Sequence, residues 1–153
     1  MRLFFTLVLS GLAVILIFTG CSPSSGLSGL YPCEGTVTHN GSPVAGASVT
    51  FYPDGGGGDA RVAGGETDAN GIFRVTTLKP QDGLYPGTYK VTIIKYEEYG
   101  PPPKITINED GEEISSGRQL RNALPAKYEK QDKTELTATI EKKSNKVNFD
   151  LVD

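Results

Sequence analysis

From residue 33 onward the apolar residues of this chain fall on alternate positions, in short runs that glycine, proline and asparagine interrupt. A period of two is the strand period. It sends successive side chains to opposite faces, so one face can be buried while the other meets water. In "GTYKVTIIK" (87–95), Tyr89, Val91 and Ile93 alternate with Lys90, Thr92 and Ile94. "CEGTVTH" (33–39), "ASVTFYP" (47–53), "IFRVTT" (72–77), "TELTATIE" (134–141) and "KVNFDLV" (146–152) read the same way, and "RVAGGET" (61–67) reads as a short edge strand. Amphipathic runs rich in alanine or leucine are scarce. The expectation is an all-β fold: an antiparallel Greek-key sandwich of about seven strands.

The expected core follows from the alternation: Val49, Phe51, Phe73, Val75, Tyr89, Val91, Phe149 and Leu151 face inward, with Leu136, Ala138 and Ile140 as a further inward set. "NG" at Asn40–Gly41 is a strong turn signal, because both residues tolerate positive φ. The segment 96–133 breaks the pattern with "YGPPP", "NEDGEE" and "SSGRQLRNALPAKY" and reads as a long loop. Within it, "KITI" (104–107) and "EEIS" (112–115) can pair as a small hairpin across "NEDG", and "LPAKY" (124–128) brings the chain back to the core through Leu124 and Tyr128.

With 153 residues there is room for one domain and a tail. The tail is at the start. Arg2 precedes the apolar run "LFFTLVLSGLAVILIF" (3–18), which is short for a permanent membrane span and reads as a secretory signal. The run ends in "TGCS", and Thr19, Gly20 and Cys21 resemble the lipobox of bacterial lipoproteins, although Phe18 stands where leucine is usual. That resemblance implies a signal peptide over 1–20, cleavage between Gly20 and Cys21, and acyl chains on Cys21. Residues 21–32, rich in serine, glycine and proline, then form a flexible tether, and 33–153 the folded domain. In such lipoproteins aspartate after the cysteine favours the inner membrane, so the resemblance, with Ser22 at that place, implies the outer membrane in a cell that has one. If Cys21 carries lipid, Cys33 has no disulfide partner and reads as a small buried hydrophobe at the start of the first strand.

The motifs in order, "GTVTHNGSPVAGASVTFYP", "GETDANGIFRV" and "GLYPGTYKVTI", resemble the carboxypeptidase regulatory-like domains, over about residues 33 to 152 with 96–133 as a poorly matched insert. The resemblance implies a transthyretin-like (prealbumin-like) sandwich. In that family "TDxxGxF" is a β-turn. Here Asp68 would accept backbone N–H groups, Asn70 and Gly71 would supply the unusual backbone angles, and Phe73 would enter the core. A calcium loop needs more oxygen ligands at alternating spacing, and only Asp68 and Asn70 fit it, so no metal is expected.

Catalytic readings find little to stand on. The hydroxyisourate hydrolases of the same fold carry several histidines and a Tyr-Arg-Gly-Ser ending; this chain has one histidine, His39, and ends "NFDLVD". It holds no His/Glu zinc set and no G-x-S-x-G elbow. An internal isopeptide bond to Asn148 would need a lysine within 33–39, which is absent. The net charge of −3, without a basic patch, speaks against nucleic acid. The chain therefore reads as a non-enzyme without cofactor: a lipid-anchored cell-envelope module that serves as a structural element or binds an envelope protein. The alternative is a carbohydrate-binding module, with Tyr96, Tyr99 and Tyr128 as the candidate ligand surface.

Overall fold

The computed structural model describes residues 29–55, 59–102 and 104–153. The expected signal peptide, the Gly20–Cys21 cleavage site and tether residues 21–28 lie outside the described residues. The described chain is all-β: twelve strands and a single 3-10 turn at Ala126–Tyr128. Among the described residues no helix is long and apolar enough to cross a membrane.

Eight strands form two sheets. In the first, β1 (Cys33–His39) lies beside β12 (Asn145–Leu151) on one edge, while its other edge is shared by β2 (Ser42–Pro43) and β5 (Ile72–Arg74). The second runs β11 (Thr137–Ile140), β6 (Gly87–Ile94), β3 (Ser48–Pro53), β4 (Ala63–Glu66). All seven expected strands are present; the two-residue β2 is the addition. The expected 72–77 strand stops at Arg74, although Val75 remains fully buried and Thr76 still bridges to Gly64. The expected 134–141 strand begins only at Thr137. Thr134 turns its hydroxyl inward to donate to Val91 O at 2.7 Å and accepts the Leu136 N–H at 3.2 Å, which holds the chain off the extended path.

The two sheets meet face to face through aromatic rings. Phe51 on β3 stands 6.1 Å from Phe73 on β5 and 6.4 Å from Phe149 on β12, and 6.2 Å from Tyr89 within its own sheet. Phe73 and Phe149 stack at 6.2 Å. All eight expected core residues are buried, joined by Val37, Leu84 and Ile93. Each such side chain contributes about 1.5 to 3 kcal/mol by leaving water. The Tyr89 hydroxyl would be a costly polar atom in this core, and it donates to Tyr85 O at 2.8 Å.

One pairing departs from the antiparallel expectation. β1 and β12 run parallel, in register from Cys33↔Asn145 to His39↔Leu151. Strands joined by a tight turn must be antiparallel, but these are separated by almost the whole domain, so the connection is free to return the chain in either direction.

The segment 96–133 is also not the structureless loop that its composition suggests. β7 (Tyr96–Tyr99) pairs with β10 (Gln119–Asn122), and between them β8 (Lys104–Ile107) pairs with β9 (Glu113–Ser116), all antiparallel. The hairpin across "NEDG" is the one the sequence suggested. Leu124 and Tyr128 are buried and return the chain to the core.

Candidate functional site

The ribbon β7–β10 is hydrogen-bonded to neither main sheet. Its base is clamped by one side chain. Asn122 Oδ1 accepts the N–H of Lys95 at 3.2 Å and of Leu124 at 3.1 Å, while Ala123 N–H donates to Lys95 O at 2.8 Å. The Asn122 Nδ2 is buried and has no partner among the described residues. Along the stem, Lys95 pairs with Glu97 at 2.9 Å and Arg118 with Glu98, and the Arg121 guanidinium lies 5.0 Å above the Tyr99 ring.

The ribbon's surface is unusual for its apolar content. Eight large apolar side chains are exposed among the described residues. Five of them, Tyr96, Tyr99, Ile105, Ile107 and Leu120, lie on this ribbon, so exposure is concentrated rather than scattered. Ile105 and Ile107 share one face of β8 and are 63% and 70% exposed. A two-stranded ribbon is marginal in water by itself, and these residues gain nothing from the core beneath.

Tyr128 does not belong to such a surface, contrary to the expected tyrosine row. It is only 7% exposed, seated in the 3-10 turn, and its hydroxyl donates to Val152 O at 3.1 Å and accepts the Val152 N–H at 3.2 Å. Tyr96 and Tyr99 are both exposed, but they stand three positions apart on one strand and so face opposite sides. The three rings cannot form one flat platform.

"TDANGIF" forms a closed turn. Asp68 Oδ1 accepts the N–H of Asn70 at 2.8 Å and of Ile72 at 2.9 Å. The backbone closes the same loop: Gly71 N–H donates to Asp68 O at 2.9 Å and Asp68 N–H to Ile72 O at 2.8 Å. Gly71 takes the left-handed angle, φ 74°, whereas Asn70 does not, so the expectation that both residues supply unusual angles is corrected. One left-handed residue is enough once the aspartate side chain holds the first half of the turn. The tip of the ribbon repeats this design: Asn108 Oδ1 accepts the N–H of Asp110 and Glu112, and Gly111 is left-handed. Among the described residues no three His, Cys, Asp or Glu side chains gather as a metal would need.

The remaining reactive groups are held. Cys33 is buried, and burial, with the negative charge of Glu34 adding to it, pushes its thiol up to about 11. It borders a shallow cleft of about 220 Å³ lined by Glu34, Arg74, Gln81 and Ser144. His39 Nε2 lies 3.0 Å from Asp153 Oδ1, a carboxylate that also accepts from Asn40 Nδ2 at 2.9 Å. Asp82 was not singled out in the sequence, yet it accepts three N–H bonds, from Thr77, Leu78 and Lys79 at 2.6, 3.0 and 2.8 Å. Gln81, at φ 62°, lets the chain curl around it. The signal was present in "TLKPQDG", where proline and glycine flank an aspartate.

No protein-family model matches the chain, and neither does any curated protein. Among solved structures, a 9R-lipoxygenase from Cyanothece PCC8801 aligns with 78% of this chain and 16% of its own, at 11% identity and a TM-score of 0.35, a likeness too slight to carry an argument about fold or activity.

Proposed function

We propose that the chain is a non-catalytic, lipid-anchored β-sandwich of the cell envelope that serves as a structural or protein-interaction module, with the ribbon β7–β10 as its contact surface. The observation that carries this reading is the concentration of exposed apolar side chains on a ribbon outside both sheets. The sandwich is of the transthyretin-like, Greek-key type of the carboxypeptidase regulatory-like domains, a reading supported by the ordered motifs and by the pairing of β1 with β12 and β5 and of β6 with β3 and β11, strands distant in sequence. Lipid on Cys21 and placement at the membrane, the outer one where a cell has two, rest on "TGCS" after the apolar run. Two or three acyl chains would hold the domain at the bilayer, since each buried methylene contributes about 0.8 kcal/mol. A carbohydrate-binding role has less support, because Tyr128 is buried and Tyr96 and Tyr99 face apart.

The test has two arms. Intact-mass analysis of the mature protein should give Cys21 as the first residue with added acyl mass, and Cys21→Ala should leave an unprocessed precursor or release the protein from the membrane fraction. An N-terminus other than Cys21, or a Cys21 without added acyl mass, overturns the anchor. A photo-crosslinker at position 105 should capture an envelope protein in cells, and Ile107→Asp should abolish that capture without changing the circular dichroism spectrum. Capture insensitive to Ile107→Asp overturns the contact surface.

A further inference from the structure

The chain contains two Asn–Gly steps, Asn40–Gly41 and Asn70–Gly71, and the fold treats them differently. Asparagine before glycine is the step most prone to cyclisation, because glycine's missing side chain leaves its amide nitrogen open to the asparagine carbonyl. At Asn70 the fold closes that route. The Gly71 N–H is held by Asp68 O at 2.9 Å, and an added Cβ on Gly71 would lie 2.6 Å from Val37 O, so there is little space around it. At Asn40 the route is open. Asn40 is exposed at φ 50°, and among the described residues Gly41, at φ 78°, has no hydrogen-bond partner for its N–H and nothing within 4 Å of where a Cβ would be.

The geometry points to Asn40 as a site of self-modification by deamidation, with Asn70 protected by its turn. The Gly41 amide nitrogen, once it gives its proton to solvent base, attacks Asn40 Cγ. The Cγ–Nδ2 bond breaks, and the departing nitrogen takes a proton and leaves as ammonia. Water then opens the five-membered imide at either carbonyl, giving aspartate or isoaspartate at position 40. Only water is consumed.

The position gives the reaction a structural consequence. Asn40 Nδ2 donates to Asp153 Oδ2 at 2.9 Å, in a cluster that also holds His39 Nε2, 3.0 Å from Asp153 Oδ1, and Lys127 Nζ, which donates to Asp153 O at 3.0 Å. Conversion removes the donor and sets a carboxylate against the carboxylate of Asp153. The side-chain bond from Asn40, foremost, and that from His39 hold the Asp153 carboxyl below the ordinary carboxylate range. The modified chain should lose the first of these supports, while Val152 stays held by the Tyr128 hydroxyl.

Folded protein and urea-unfolded protein are incubated side by side at mildly alkaline pH and mapped by peptide mass spectrometry and isoaspartate labelling. In the folded protein Asn40 should convert about fivefold faster than Asn70, the factor set by one retained backbone hydrogen bond of ordinary strength. In the unfolded protein, where both steps are free, the two rates should converge. Equal rates in the folded state, faster reaction at Asn70, or an intact Asn40 while the unfolded control converts would each overturn the inference. Asn40→Asp supplies the product directly: its Asp153 carboxyl should titrate at higher pH by NMR than in the unmodified chain, and an unchanged titration would overturn the proposed consequence.

Discussion

Gly35 sits in the middle of β1, where it faces Val147 of β12 on one side and Phe73 of β5 on the other. A Cβ at this position would lie 1.6 Å from the Val147 carbonyl oxygen, 2.7 Å from its carbon and 2.8 Å from the tip of the Phe73 ring. The ring could swing aside, but the backbone of β12 could not. To reach even a tight contact of about 3 Å, the two strands would have to separate by more than an ångström locally, which breaks ladder hydrogen bonds. Overpacking alone costs about 1 to 3 kcal/mol, and each ladder bond lost adds about 0.5 to 1.5 kcal/mol. Gly35→Ala should therefore destabilise the domain by about 3 to 5 kcal/mol, a large share of the stability of a domain this size. Urea unfolding followed by tyrosine fluorescence measures it, as a lowered midpoint at unchanged slope. Gly46→Ala is the control, because open space surrounds that position and only its left-handed φ of 68° resists substitution. A loss below about 1 kcal/mol for Gly35→Ala, or one equal to that of Gly46→Ala, would refute the close approach of the strands.

Asp68→Ala should cost about 1 kcal/mol, because two N–H groups lose their acceptor to water, while Asp68→Asn, which keeps an oxygen in place, should stay within about 0.5 kcal/mol in the same assay. Partial burial pushes the Asp82 carboxyl up, but the N–H bonds of Lys79, Thr77 and Leu78 together hold it below its ordinary value. Its contribution is thus full above the unfolded-state value and is lost as pH falls through the lower folded one; Asp82→Asn should flatten the acid limb of a stability–pH profile below about pH 4. Cys33, with its thiol at about 11, should resist iodoacetamide at pH 8 in the folded protein and react readily in urea; equal rates in the two states would contradict its burial.

What the sequence revealed depended on how local the cause was. β1, β3, β6 and β12 announce themselves because one face is buried and the other is not, and alternation records that difference residue by residue. The turn at Asp68 was legible because its acceptor, donors and glycine all lie within five residues. β7 and β10 left no such trace. "YEEY" and "QLRN" are largely exposed on both faces, so nothing in their composition distinguishes a strand from a loop. For Tyr128 the core-anchor expectation holds and the ligand-surface one does not, because its hydroxyl is used up on Val152, a residue of the distant C-terminal segment. The parallel pairing of β1 with β12 is equally invisible, since register between segments this far apart is decided only by the packing of the whole domain.

That pairing decides how the domain bears load. Cys33 and Asn145 stand at one end of the β1–β12 ladder, His39 and Leu151 at the other. A pull between the segment preceding Cys33 and the C-terminal Asp153 draws β1 and β12 along their lengths in opposite directions. The ladder is then loaded in shear, so all seven paired positions share the force and must fail together instead of peeling apart in turn. A stretch applied between those two points would therefore be resisted along the whole length of this seam.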